Sequence, residues 1–392
     1  MQFVFVWEDD IKMEKHLTIE KRQSFIDIIR CGMDIDVHTG DFVIDDYDEF
    51  IQLSIRQSLQ SIVYRGLKKN GAPSELLHRF DKTRLKDTRL YVLQNDSLNR
   101  ISNALAENNI QHIPLKGAVI RQLYPEPEIR TCLDIDLLVH ESDLDKAIKI
   151  IENKTDFKVR KRNYHDISMV NSNVHLELHF NIKENIETID KLLDRVWDYA
   201  VPDDSYRYNL NPEFLIFHVV AHMSYHMIHA GLGIRPFLDL WLLRNKTTYD
   251  EETVRLFCDE CNILVFYEKC CELVDSWMLN TPIPESLMNL EECVFNGGVF
   301  GNKENSDAVR QRKYRGISYY FHRVFMSRKL LELEYPELKS KPHYLPFFQI
   351  RRWMRLLSSQ KRKQVSNEIK SINSMNRETV DSFDRLLSSL GL

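Results

Sequence analysis

LKGAVIRQLYPEPEIRTCLDIDLLV, residues 115–139, decides how this chain is read. It leaves a short apolar run, turns at Lys116-Gly117, continues into a helical stretch and two prolines, and ends in a run that is apolar except for Asp134 and Asp136. Residues two apart on a strand share a face, so the two carboxylates stand side by side. Like charges beside apolar neighbours repel each other and resist desolvation. Two readings follow: a solvent-facing pair on an edge strand, or a pair neutralised by a hard divalent cation shared with phosphate oxygens. A glycine at a strand-to-helix turn, here Gly117, lets backbone N–H groups approach a phosphate, and the helix start adds favourable dipole potential.

Downstream, VHLELHF at residues 174–180 alternates cleanly. Val174, Leu176, Leu178 and Phe180 point one way, and His175, Glu177 and His179 the other. Paired beside the Asp134 strand, it supplies a third carboxylate, Glu177, either to a cation cluster or as the base for an acceptor hydroxyl. A half-exposed strand with a polar outer face is the alternative. The runs IQHIPL, FKVRKR and DISMV, with one helical segment from Ser142 to Glu152, complete a small α/β unit. Helical periodicity occupies Arg22 to Ile29, Tyr47 to Lys69 and Ser74 to Asn108, and returns after Glu187, interrupted by GLGIRP, Pro282 and Pro284, and NGGVFGN. The expected class is α+β: a helical N-terminal cap at 1–104, the α/β core at 105–185, and a helical C-terminal domain with a basic tail at 186–392.

With 392 residues, 43% apolar and 28% charged, the composition excludes disorder and collagen-like architecture. A net charge of −5 gives no global signal for a polyanionic partner. Locally, residues 303–370 carry 17 Lys or Arg against 6 Asp or Glu. That tail is expected to dock on an acidic part of the same molecule, with a nucleic-acid or anionic-ligand surface as the alternative. Seven cysteines, an odd number, form no secreted disulfide framework and fit a reducing cytoplasm. MQFVFVWEDDIK lacks the positive flank of a signal peptide, and no apolar run approaches the roughly 18 residues of a membrane span. The expectation is a cytoplasmic protein without a membrane partner.

In FLIFHVVAHMSYHMIHA, His218, His222 and His226 recur every four residues, with His229 three further on, so they share a helix face. Packed core histidines, cleft-lining histidines and a zinc site are the three readings. Arg235, after Gly231 and Gly233, either aims its guanidinium fork at phosphates or pairs with Asp239 one helical turn on. Cys258 and Cys261, in CDEC within a helical pattern, read as buried structural thiols.

Together, LKGAVIRQLYPEPEIRTCLDIDLLV and VHLELHF resemble the bacterial, largely uncharacterised nucleotidyltransferase family of the polymerase-beta superfamily. GLGIRPFLDLWLL, NGGVFG, YPEL and LPFFQIRRW resemble its helical region, so the likeness spans roughly residues 50 to 360. The resemblance implies a minimal polymerase-beta-like sheet and Mg²⁺-dependent (or Mn²⁺-dependent) transfer of a nucleoside monophosphate from an NTP to a hydroxyl-bearing acceptor, a sugar, small metabolite, protein side chain or RNA end. Gly117 takes the turn, Asp134 and Asp136 the metal pair, Glu177 the third carboxylate, and Arg130 matches an arginine four residues before the first aspartate. Lys116, Arg130 and Arg235 become the cations for phosphate, and the family's recurring histidines favour the cleft for His222 and His226. Gly117-Ala118 departs from the usual Gly-Ser or Gly-Gly, so a hydroxyl contact to triphosphate is absent. The rivals are a non-catalytic nucleotide- or RNA-binding module on the same fold and a zinc hydrolase on the histidine-rich helix.

Overall fold

The computed structural model describes residues 17–35, 42, 44, 46–298, 301–302, 305–309, 328, 331, 335, 338, 341–356 and 377–392. Most of the basic tail at 303–370 lies outside the described residues, so the expected docking of that tail does too. The chain opens with α1 (Ile19–Gly32), α2 (Tyr47–Arg56), α3 (Gln60–Lys69) and the 33-residue α4 (Ser74–Ala106). Thr18 and Asp46 cap α1 and α2 by accepting from backbone N–H groups of the first turn. The periodic run from Tyr47 to Lys69 is thus two helices and not one. Ser58 adopts φ +52 at the break. The Gln57 side chain donates to the carbonyls of Val294 and Gly297 and accepts from Ile234 N–H, a tether that fixes where the chain turns.

A mixed seven-stranded sheet follows, built from β1 (His112–Pro114), β2 (Asp134–Val139), β3 (Lys158–Arg162), β4 (Asp166–Val170), β5 (His175–His179), β6 (Ala200–Asp204) and β7 (Arg207–Leu210), with the short helices α5 (Gly117–Ile120) after β1 and α7 (Glu187–Leu193) after β5. Their spatial order is β3-β4-β5-β2-β1-β7-β6. The sheet therefore runs past residue 185 into the region expected to be helical. The β6–β7 hairpin escapes the periodicity because β6, AVPDD, is largely exposed and holds Pro202, as suits an outer strand. β2 and β5 are parallel neighbours; β1 and β2, and β4 and β5, are antiparallel.

Period-two alternation gives the sheet two different faces. Ile135, Leu137 and Val139 of β2, Leu176 and Leu178 of β5, and Ile167 and Met169 of β4 form one apolar cluster. It is closed by Leu98, Ile101 and Leu105 of α4 and by Ala147, Ile148 and Ile151 of α6 (Leu144–Lys154). The opposite face carries Asp134, Asp136, Glu177, His175 and His179, and beyond them Leu138 joins a second, larger core. That core takes in residues of α1–α3, α8 (Pro212–Ala230), α9 (Arg235–Lys246), α10 (Glu251–Glu260), α11 (Leu264–Leu279) and α12 (Met288–Asn296). Cap and C-terminal helices thus share one interior: Phe25 meets Phe295 edge-on at 6.2 Å, and Arg30 donates to the Met278 carbonyl. Cys258, Cys261, Cys270 and Cys271 are buried as free thiols. Among the described residues no helix is long and apolar enough to cross a membrane.

Candidate active site

Parallel pairing of β2 with β5 sets Asp136 opposite Glu177 and Asp134 opposite His175. The three carboxylates therefore meet on one face of the sheet, as the alternation in both strands requires. His179, next on that face, lies 2.9 Å from Asp136 Oδ1 and 3.6 Å from Glu177 Oε2 through its Nε2. It is nearly fully buried and stacks on His165, whose Nε2 is 2.8 Å from Asp166.

Lys116 enters from the β1 side. The Leu115 N–H donates to the Asp136 carbonyl, which ties the turn to β2. Lys116 itself has φ +44, an unfavourable left-handed setting for a lysine that costs on the order of 1–3 kcal/mol. Burial opposes its charge, but Asp136, Glu184, Glu177 and Asp134 outweigh burial and raise its pKa. The positive φ thus falls on Lys116, while Gly117 is required by space. A Cβ on Gly117 would collide with Cys132 Sγ and the Arg130 guanidinium. The N–H groups of Ala118, Val119 and Ile120 bond to the carbonyls of Leu115 and Lys116, so the turn consumes them internally.

Electrostatics separates the carboxylates. Burial, then the charge of Asp136, pushes Asp134 up to about 6, against the pull of Lys116 and Arg235. Burial and the two aspartates push Glu177 up to about 8. For Asp136 burial acts upward too, but Lys116 and the His179 hydrogen bond prevail and hold it well below the usual range. Three carboxylates so placed resist simultaneous ionisation, and a divalent cation relieves that conflict. Potential ligands fall into two overlapping groups, Asp134 with His175 and Glu177, and Asp136 with Glu177 and His179, so Glu177 lies within reach of either aspartate.

The remaining expected residues divide. His222 Nδ1 is 2.7 Å from Glu184 Oε1, and the Nε2 atoms of His222 and His226 are 3.1 Å apart. Glu184 is buried, and although burial acts upward, His222, Lys116 and His226 hold its carboxyl at about 2. His218 is deeply buried, neither ring nitrogen has a hydrogen-bond partner among the described residues, and burial lowers its pKa to about 3. Among the described residues, groups of three or more potential metal ligands occur only at the β2–β5 carboxylates, not along the histidine helix. Arg235 donates to the Thr131 carbonyl at the approach to β2 and leaves its Nε without a partner among the described residues. Arg130 is placed differently from expectation. Its guanidinium forks onto both oxygens of Asp239, at 2.8 and 2.6 Å, and Tyr124 donates to the same carboxylate at 2.7 Å. Asp239 is thereby engaged with Arg130, and the alternative of an Arg235–Asp239 pair is not what forms.

A family model described as "Uncharacterised nucleotidyltransferase" matches residues 45–279. The chain belongs to that family. No curated protein and no solved structure matches it. The family match contains all seven strands and every residue of the site, from Lys116 to Arg235. Within this uncharacterised nucleotidyltransferase family fold, His179 and Glu184 also touch the site, beyond the residues singled out from the sequence. His179 was legible, since alternation places it on the Glu177 face; Glu184 lies in a loop after β5, where periodicity says nothing.

Proposed function

We propose that this chain transfers a nucleoside monophosphate from an NTP to a hydroxyl-bearing acceptor, releasing pyrophosphate. The observation that carries the reading is the convergence of Asp134, Asp136 and Glu177 on one sheet face with Lys116 against them. Asp134 and Asp136 would hold a divalent cation, Mg²⁺ or Mn²⁺, which when bound draws charge from the phosphates and makes the acceptor hydroxyl more acidic. Glu177 is suited to take the acceptor's proton, because burial beside the two aspartates makes it a stronger base than an ordinary carboxylate and a bound cation would favour its ionised form. The acceptor oxygen then bonds to the α-phosphorus as the bond to the β-phosphate bridge breaks, and pyrophosphate leaves with the electron pair. Lys116 and Arg235 supply positive charge for the phosphates, the form of help that phosphoryl transfer chiefly needs. Arg130 acts from behind, holding the turn and α9 together through Asp239. Glu184, bonded to His222 with His226 beside it, acts electrostatically on Lys116, and these histidines would line the nucleotide side of the site.

The test is a screen of the four NTPs with Mg²⁺ or Mn²⁺ against pools of sugars, small metabolites, peptides and RNA, reading pyrophosphate release. Cation-dependent release with one acceptor class, abolished by Asp134→Asn with Asp136→Asn, supports transfer. Nucleotide binding by calorimetry without transfer to any pool favours the binding-module reading instead.

A further inference from the structure

Two groups of potential ligands overlap on the sheet face: Asp134, His175 and Glu177, and Asp136, Glu177 and His179, with the donor atoms of each group within 4.8 Å of one another. Each aspartate of β2 thus has one imidazole of β5 beside it, and Glu177 is common to both. His179 aims Nε2 between Asp136 and Glu177 and is held by its stack on His165, the ring planes 4° apart. His175 is steered from behind, its Nε2 lying 2.7 Å from Ser168 Oγ on β4. Such an outer hydrogen bond orients an imidazole that serves as a ligand through its other nitrogen. Mg²⁺ prefers oxygen donors and retains its waters, so imidazoles add nothing to its binding. Mn²⁺ stands at the weak end of the first-row series but, unlike Mg²⁺, accepts an imidazole beside carboxylates, and the later ions bind imidazole more tightly still.

We propose that the acidic row offers two overlapping carboxylate–imidazole sites, Asp134–His175–Glu177 and Asp136–Glu177–His179, in which the histidines contribute ring nitrogens, and that they take a divalent first-row transition ion, of which Mn²⁺ is the probe, in preference to Mg²⁺. The inference rests on the cation-dependent reading above and sharpens it. The two histidines flank the carboxylates along β5, at its two ends, so they serve both ends of the acidic row. Loss of either imidazole weakens Mn²⁺ binding at the group it belongs to and leaves affinity for Mg²⁺, which depends on the oxygens.

The experiment uses the full chain stripped of metal. Mn²⁺ is titrated without nucleotide, the loss of its free six-line electron paramagnetic resonance signal is followed, and Mg²⁺ is added as competitor. Pulsed measurements then read nitrogen coupling to bound Mn²⁺, in ordinary protein and in protein carrying ¹⁵N-histidine. The expected result is a coupling that changes with the histidine label and Mn²⁺ held at least about tenfold tighter than Mg²⁺. His179→Gln and His175→Gln should each weaken Mn²⁺ about tenfold and shift Mg²⁺ by less than about twofold. The wild-type coupling needs no variant, so a variant that fails to fold leaves the test intact. Bound Mn²⁺ with no histidine coupling and no advantage over Mg²⁺ overturns the proposal and leaves nucleotidyl transfer standing. Histidine coupling without affinity for any NTP keeps the site and sinks the transfer reading, while failure to bind either ion, with or without NTP, overturns both.

Discussion

Glu177 holds its proton in the folded protein far above the ordinary glutamate value of 4.5, at about 8. The sign of the linkage follows: a raised folded-state pKa contributes stability that is fully present below 4.5 and lost as pH rises through 8. His179, where burial acts downward but Asp136 prevails and raises it, adds to the same slope. Histidines whose folded values are lowered, among them His218 and His226, are neutral in both states above their ordinary 6.5 and contribute no opposing slope there. The metal-free protein should therefore lose about 2 kcal/mol between roughly pH 6.5 and 8.5. Urea titrations across that range should show the decline in wild type, a flatter profile in Glu177→Gln, and a flatter one again when Mn²⁺ is present. A slope unchanged by Glu177→Gln would place the titrating group elsewhere. Arg130 and Asp239 predict a different residue-scale result. Their side chains are 6% and 7% exposed, so removing one partner strands a buried charge and should cost about 3–5 kcal/mol. Arg130→Met should thus be strongly destabilising by urea denaturation, whereas Arg130→Met with Asp239→Leu should recover much of the loss; direct phosphate binding by Arg130 would instead weaken NTP affinity at unchanged stability.

At the scale of elements, what the sequence shows is what alternation encodes. The apolar and polar faces of β2 and β5 are both legible from CLDIDLLV and VHLELHF, and with them the meeting of Asp134, Asp136 and Glu177 once the strands are neighbours. The break between α2 and α3 is not legible, because the helical spacing of apolar residues continues across Gln57-Ser58-Leu59 and the cause of the turn is a side chain bonded to residues some 180 to 240 positions away. The same holds for Arg130, whose spacing before Asp134 is visible in sequence while its partner, Asp239, sits 109 residues on. Gln57→Ala leaves the Ile234 N–H and the Val294 and Gly297 carbonyls without this partner. Buried polar groups so orphaned cost about 1–3 kcal/mol each, so the variant should be at least about 2 kcal/mol less stable by chemical denaturation. A loss under about 0.5 kcal/mol would mean that solvent replaces the amide and that the break has another cause.

For the whole molecule, the chief departure from the sequence-based division concerns how the parts cohere. Apolar periodicity divides the chain into a cap, a core and a helical domain, yet α1–α3 and α8–α12 bury their apolar faces in one cluster, and Ile113 and Leu138 of the sheet belong to it too. Period counting detects which face of an element is apolar and not which distant element covers it. Trp277 lies in the helical core and Trp197 packs beside the β6–β7 hairpin, stacked on His140. Thermal unfolding should accordingly be a single transition, with midpoints coinciding when followed by far-ultraviolet circular dichroism and by fluorescence of variants that keep only Trp277 or only Trp197 of the five tryptophans. Two separated midpoints, one for each tryptophan, would restore the independent-domain picture.

Parallel pairing of β2 with β5 also sets a timetable. Antiparallel neighbours such as β4 and β5 meet across a short turn, but Asp136 and Glu177 are brought together only by closing the 41 positions that separate them, through α6 and the β3–β4 hairpin. Closure of long-range contacts is slow compared with helix formation. The acidic row is thus assembled late, and on a growing chain it cannot exist until β5 has been synthesised. In refolding from urea, helical circular dichroism should recover first and Mn²⁺ uptake should lag behind it; simultaneous recovery would mean that β2 and β5 pair in the first collapse. A chain that acquires its acidic face last carries no exposed, partly built acidic cluster through most of its folding, and capacity to capture a divalent cation would then measure how complete the fold is.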